Sequence, residues 1–300
     1  MPSEWQPVIN FFALLLVLAH ASIIVLVSLR IIMKRRSSSV SLAWFAVIYA
    51  LPFAGVLLYL IFGELYLGKK RVQRATTMLH GFMLRINQWS RPFVVEPVDD
   101  NSEIKTLHNI VAKRFLMPTV SGNRLLLLTH SEQTLAQISD DIKQATQTVY
   151  LEFYICNVCG RVEDVMNALI AAAQRGVDCR MLLDSVGSAE FFTSKWPNTL
   201  KAAGIKLTEV LPVGPMRLFF QRQDLRMHRK IIAIDNKVAY TGSMNLVDPT
   251  HFKAEAGVGE WIDIMLRMQG PIVPIAGSIL EWDWEIETGE KFPQYYIQSS

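Results

Sequence analysis

The chain is poor in cysteine, with three in 300 residues, and three thiols cannot staple a secreted scaffold. It also lacks an excess of charge of either sign: 30 Lys+Arg stand against 27 Asp+Glu. Arg30, Lys34, Arg35, Arg36, Glu4 and Glu64 all fall within residues 1–67, leaving 26 basic and 25 acidic residues from Gly68 onward. A body so nearly neutral argues against a protein that holds nucleic acid by bulk charge, because phosphate neutralisation dominates such binding. No Gly-rich phosphate loop of the P-loop type is present. Cys156 and Cys159 form a CxxC, but no second CxxC or paired His completes a zinc site, and Cys156 ends an apolar strand. The pair therefore reads as small-residue packing. What the chain does have is 51% hydrophobic residues, which excludes a disordered tail or a collagenous fibre.

Much of that hydrophobicity lies in two runs. Val8 to Leu29 gives 22 residues without a formal charge, about 33 Å as a helix against a hydrocarbon core of about 30 Å. Val40 to Phe62 gives 23 more, with Trp44, Tyr49 and Tyr59 as interfacial rings and Pro52 as a kink. Together they read as a transmembrane helical hairpin over residues 1–67. A cleaved signal peptide fits poorly, because the amino end carries no positive charge and the far end is Arg-Ile-Ile-Met-Lys-Arg-Arg. Asn10 and His20 lie inside the first run and are expected to make contacts across helices. Four basic residues precede the second run and four follow it, so the positive-inside rule selects no orientation. Residues 68–105 read as a basic juxtamembrane linker: Lys69, Lys70, Arg71, Arg74, Arg85 and Arg91 occur without an acidic residue between 69 and 91. Each is worth about 1 kcal/mol near an anionic lipid surface.

From residue 106 to 300 the pattern is that of an α/β domain. Thr148 to Cys156 (TVYLEFYIC) is strand-like, and Val162 to Gln174 (VEDVMNALIAAAQ) has helical apolar spacing closed by Arg175-Gly176. Strands are expected at Cys179 to Asp184 and Ile205 to Leu211, with a helical stretch ending at Leu200 to Gly204 between them. Arg226 to Asp235 and Lys237 to Ser243 read as a tight hairpin. Ile262 to Met268 follows as another strand, and a last helix runs through Trp284.

One motif carries the chemistry. In the strand from Arg226 the period of two puts His228 and Lys230 on one face, while Ile231 to Ile234 bury the rest of the strand. Asp235 closes the strand, and the return delivers Gly242-Ser243-Met244-Asn245, with Ser243 and Asn245 as neutral donors. An imidazole, a fixed ammonium and such donors suit attack at phosphorus, the imidazole as nucleophile and the others stabilising the equatorial oxygens, with no metal needed.

This HxKxxxxD followed by GSxN resembles the signature of the phospholipase D superfamily. GELYLGKKR after the hydrophobic runs, LLDSVGSAEFF at 182–192, DLRMHRK at 224–230 and GVGEWIDIMLRMQGP at 257–271 further resemble the bacterial cardiolipin synthases within it. The resemblance covers essentially the whole chain. It implies two transmembrane helices followed by one phospholipase D-like half-domain, a mixed β-sheet flanked by helices, as a multi-pass protein of the bacterial inner membrane. It also implies phosphatidyl transfer between two phosphatidylglycerol molecules through a phosphohistidine, giving cardiolipin and glycerol without cofactor, metal or nucleic acid. In those terms His228 is nucleophile or acid/base, and Asp235 belongs to the signature while closing its strand. Lys230 and Asn245 hold the phosphate with help from Ser243, and Asp263 orients the His. Met216 to Lys230, interleaving Phe219 and Phe220 with Arg217, Arg222 and Arg226, reads as an interface-dipping loop or a cover over the site.

The superfamily normally uses two such motifs, one His attacking phosphorus while the other protonates the leaving group, and this chain has one. His251-Phe252-Lys253 repeats only the HxK: Val258 stands where the Asp would be, and no GSxN follows. The missing half is expected from truncation or a split gene, with a homodimer building one site from two copies as the competing account. A single-motif nuclease and a catalytically silent lipid-binding partner stay open as other readings.

Overall fold

The computed structural model of the chain describes residues 6–34, 37–51, 53–63, 69–96, 102–212, 226–257 and 259–292. They fall into an N-terminal unit, residues 6–63, and a body that begins at Lys69.

The first uncharged run forms one helix, α1 (Gln6–Met33), whose most apolar stretch has mean hydropathy 2.7. Its 28 residues reach about 42 Å, enough to cross a bilayer core. Phe11, Phe12, Leu16 and Val17 lie exposed along it, as lipid contact requires. The second run, expected as one span, is two helices: α2 (Ser38–Ala50) and α3 (Ala54–Phe62). At about 20 and 14 Å neither crosses alone. Phe53 between them has φ 60°, a left-handed conformation that stops a helix at a bulky residue, and Pro52 lies outside the described residues. Val27, Ile31, Ile48, Val56 and Tyr59 form this unit's small core. The His20 ring rests 4.4 Å from the ring of Phe53, in the break between α2 and α3, a ring contact rather than the expected one across helices. Asn10 instead accepts from Gln6 within its own helix at 3.5 Å.

The body runs α4 (Lys69–Ser90), α5 (Ser102–Phe115), β1 (Arg124–Leu128), α6 (Ser131–Lys143), β2 (Thr148–Phe153), α7 (Val162–Gln174) and β3 (Asp178–Asp184). It continues with α8 (Ala189–Thr193), α9 (Trp196–Ala202), β4 (Lys206–Val210), β5 (Lys230–Ile234), β6 (Val238–Gly242), β7 (Met265–Gln269) and α10 (Ile272–Thr288). The strands form one mixed sheet in the order β1-β7-β6-β5-β2-β3-β4, in which β2, β3 and β4 are parallel and every other pairing is antiparallel. Alternate residues feed two cores. Val149, Leu151, Phe153, Met181 and Ile232 join side chains of α6 and α7, whereas Tyr150, Leu182, Ile231 and Ala233 join Val273, Leu280 and Trp284 of α10. Strands buried on both faces read as nearly continuous apolar runs, which is why β2, β3 and β5 stand out in the sequence. The expected α/β sheet flanked by helices is the architecture observed.

The stretch expected as a basic linker is a helix of the body. Phe82 stacks on Trp282 of α10 at 4.7 Å, and Ile86 is fully buried. Arg71 pairs with Glu287 at 2.8 Å, Arg74 donates to the carbonyl oxygens of Ile286 and Glu287, and Arg85 pairs with Glu285 at 2.9 Å. These three cations are spent on α10, with Arg74 set against its negative C-terminal end, rather than held out toward lipid.

Candidate active site

The site is assembled where β2 and β5 run antiparallel. Their register sets Phe153 opposite Lys230, so the residues just past the end of β2 meet those just before β5. His228 is exposed at that edge, with its ring 4.8 Å from the ring of Tyr154. Lys230 is buried; its Nζ donates to the His228 carbonyl oxygen at 2.9 Å and lies 5.5 Å from the Tyr154 ring centroid. Burial pushes the Lys230 ammonium below the ordinary lysine value, and the Asp263 carboxylate pulls it partway back. That nearby carboxylate helps keep a cation in a partly dry place.

The GSxN segment arrives from β6. A Cβ on Gly242 would lie 2.1 Å from the Ile264 carbonyl oxygen, so only glycine lets the end of β6 close against β7. Asn245 is buried, and its Oδ1 accepts from Ile155 N at 3.1 Å, leaving the amide NH₂ as its donor group. Ser243 is exposed; its Oγ donates to Asp263 Oδ1 at 2.6 Å and accepts from Ile264 N at 3.1 Å. Asp263, expected to orient His228, thus directs its carboxylate to Ser243, and among the described residues no bond joins it to His228.

Asp235 is not brought to this place. Five residues along the strand put it about 17 Å from Lys230. There its carboxylate accepts from Thr146 N, Gln147 N and Thr148 N at 2.8 Å and from Thr146 Oγ1 at 2.9 Å. Burial alone would raise its pKa, yet the backbone donors outweigh burial and hold it below the usual aspartate value. Asp235 and Asn236 both take positive φ in the three-residue turn (235–237) to β6, and the carboxylate ties that turn to the start of β2.

Three positions that the motif did not disclose hold the site in shape. Asp184, at the end of β3, is fully buried and accepts from Val186 N and Gly187 N at 3.0 Å, from Arg226 Nη2 at 2.7 Å and from Met227 N at 3.1 Å. It therefore fixes the two residues preceding His228. Gly187 lies so close to Tyr154 that a Cβ would sit 2.2 Å from the Tyr154 carbonyl oxygen and 2.8 Å from its ring. On the opposite face of the sheet Arg229 pairs with Asp283 of α10 and lies 3.5 Å from Glu152, pinning the strand from behind. Burial first, then the neighbouring Asp283, keeps the Glu152 carboxyl well above the ordinary glutamate range. The segment 213–225, including Phe219 and Phe220 of the expected loop, lies outside the described residues. Cys156 is core, and burial raises its thiol.

Comparison with known proteins places this geometry. Residues 138–255 match the model of a cardiolipin synthase, phospholipase D-like domain, and residues 22–64 match a phospholipase D-nuclease N-terminal model. Cardiolipin synthase A of Erwinia tasmaniensis is 45% identical over 277 residues, which are 92% of this chain and 57% of that protein. Cardiolipin synthase A of Escherichia coli is 44% identical over the same shares. The chain thus spans a little over half the length of these relatives. Among solved structures, NucT from Helicobacter pylori aligns with a TM-score of 0.43 and 16% identity over 55% of this chain and 97% of that one, too little to decide function.

Proposed function

Since the chain belongs to the phospholipase D superfamily, we propose that its site performs phosphatidyl transfer between two phosphatidylglycerol molecules, giving cardiolipin and glycerol. The observation that carries this reading is that the exposed His228 and the buried Lys230 both lie against the Tyr154 ring, with Asn245 bonded to the neighbouring Ile155 backbone. His228 attacks phosphorus, an N–P bond forms, and the P–O bond to glycerol breaks. Glycerol leaves with a proton from a general acid. The hydroxyl of a second phosphatidylglycerol then attacks the phosphohistidine, its proton returns to that acid, and the N–P bond breaks. One phosphodiester replaces another, so the exchange needs no nucleotide. Lys230 and the Asn245 amide stabilise the equatorial oxygens as charge builds on them. Ser243 lies at the rim with its one hydroxyl proton given to Asp263, so it positions the segment and donates nothing to the phosphate.

General acid catalysis contributes about 10²–10⁴-fold, and one imidazole cannot both attack phosphorus and protonate the oxygen departing on its far side. The acid therefore comes from a second motif-bearing half-domain or from a second copy of this chain across a twofold axis. In the membrane, α1 is the anchor; α2 and α3 together are read as a second, broken span, since interrupted helices are tolerated where neighbours satisfy their backbone.

The test is labelled phosphatidylglycerol in detergent with the chain, alone and with a second-half domain supplied, without added metal or nucleotide. Cardiolipin and glycerol are expected, strongly enhanced by the second half or by dimerisation. Cleavage of DNA with no lipid turnover would overturn the reading in favour of a single-motif nuclease.

A further inference from the structure

The second HxK of the sequence, His251-Phe252-Lys253, does not behave as a second catalytic motif. His251 is turned to its own neighbours, with Nδ1 2.8 Å from Thr250 Oγ1 and 3.5 Å from Asp248. Phe252 and Lys253 go elsewhere: they line a cavity of about 250 Å³ together with Tyr154, Asn157, Gly187 and Glu190. Tyr154 is the ring that packs against His228 and Lys230, so this cavity begins one aromatic ring away from the nucleophile.

Two further features set the cavity apart. Lys253 has φ 53° and ψ 33°, a left-handed conformation in which a long side chain is uncommon, and such outliers concentrate where a side chain has to be presented in one direction. The charged and amide groups at the cavity are of complementary kinds: the Lys253 ammonium, the Glu190 carboxylate and the Asn157 amide, whose Nδ2 donates to Glu190 at 2.8 Å. One cation matches one phosphodiester charge, and a carboxylate beside an amide matches vicinal hydroxyls. The volume lies below the roughly 300–1,000 Å³ of drug-sized sites, so it suits a headgroup and not an acyl chain.

We propose that this cavity binds the phosphoglycerol headgroup of the acceptor lipid, with Lys253 on its phosphate and Glu190 and Asn157 on its glycerol, so that a glycerol hydroxyl is presented past Tyr154 toward His228. The proposal rests on the phosphatidyl-transfer reading for its choice of lipid, but its test reads binding rather than turnover. Lys253 and Glu190 are then specificity-determining residues, and the incomplete second motif has a use as the source of a cation.

Calorimetric titration of the detergent-solubilised full chain with glycerophosphoglycerol, and separately with glycerophosphocholine, decides the matter. Lys253→Gly removes the cation while suiting the positive φ, so the variant should fold at least as stably as the parent. It should nevertheless bind glycerophosphoglycerol about tenfold more weakly, the loss of one charge-assisted contact. Lys253→Arg should retain most of the affinity, and Glu190→Gln should narrow the preference for glycerol over choline. Wild-type binding that is absent, that is unchanged in Lys253→Gly, or that is equal for the two headgroups overturns the proposal. Lys253-dependent, glycerol-selective binding in a chain that never makes cardiolipin would sink the transfer reading and leave the cavity assignment standing. Cardiolipin synthesis with binding indifferent to Lys253 would do the reverse.

Discussion

The two ends of β5 carry parts of one sequence motif and have opposite characters. At the first end His228 is exposed and Lys230 is a buried cation with a single hydrogen bond to a backbone carbonyl among the described residues. At the second, Asp235 accepts four hydrogen bonds, three of them from consecutive backbone amides. A group whose bonding capacity is filled by its own fold has none left for a substrate, whereas an exposed imidazole over a buried ammonium has. Residues that occur together in a motif need not work together: here one end is the proposed seat of the chemistry, and the other ties down the turn that closes the strand.

That contrast is broken or kept by substitution at each end. The largest effect is expected at the chemical end. In whichever assembly turns over phosphatidylglycerol, His228→Ala should lower turnover by roughly 10⁴-fold or more, since a nucleophile has no substitute. Its thermal midpoint should stay near that of the parent, because an exposed ring contributes little to packing. An initial-rate assay paired with a melting curve checks both; appreciable turnover by the variant would remove His228 from the reaction.

The next effect is at the structural end. Asp235→Asn offers one acceptor oxygen where two carboxylate oxygens now serve four donors, and it should cost about 3 kcal/mol in denaturant unfolding. Turnover per folded molecule should survive. The pH dependence has a definite sign. The folded pKa of Asp235 is lowered, so its contribution is present above the ordinary aspartate value and is lost as pH falls through the lower folded one. The variant should lack that acid-side loss. A collapse of turnover at unchanged stability would return Asp235 to the chemistry.

How far these roles could be read from the sequence differs by region. The body's central strands are legible because burial on both faces leaves apolar runs, and α7 is legible because its apolar spacing is helical and it ends at Arg175-Gly176. β1 is not, being an edge strand whose Leu125, Leu126 and Leu127 are exposed and alternate with nothing polar. α4 misleads because its charges are conspicuous, while the packing that decides its place, Phe82 and Ile86 against α10, becomes visible only once Trp282 and Ile275 are known to lie opposite. At the site, HxK and GSxN are local signals. Tyr154, Asp184 and Gly187 reach it through the β2–β5 register and the loop after β3, and those are long-range pairings that no local pattern encodes. The same reason hides the role of Asp235, whose partners lie nearly ninety residues away.

The smallest effect sharpens the comparison by supplying a carboxylate of opposite sign. Glu281 on α10 is buried, and Arg85 reaches it only through Nε at 3.3 Å, its two terminal nitrogens being committed to Glu285. Burial raises the pKa of Glu281 to about 7, the attraction of Arg85 opposes it, and the repulsion of Glu285 adds to the rise. Where Asp235 is saturated by donors and titrates low, Glu281 is undersatisfied and titrates high. Its folded pKa exceeds the unfolded one, so its contribution is fully present below about 4.5 and is lost as pH rises through about 7. The α4–α10 packing should accordingly weaken between pH 5 and 8 by on the order of 2 kcal/mol, a fall that Glu281→Gln should flatten because the amide stays neutral throughout. Urea unfolding followed at several pH values through Trp282 and its neighbours reads this directly. A parent protein whose stability rises across that interval, or a variant that keeps the fall, would show that Arg85 holds Glu281 ionised and that the two buried carboxylates are alike after all.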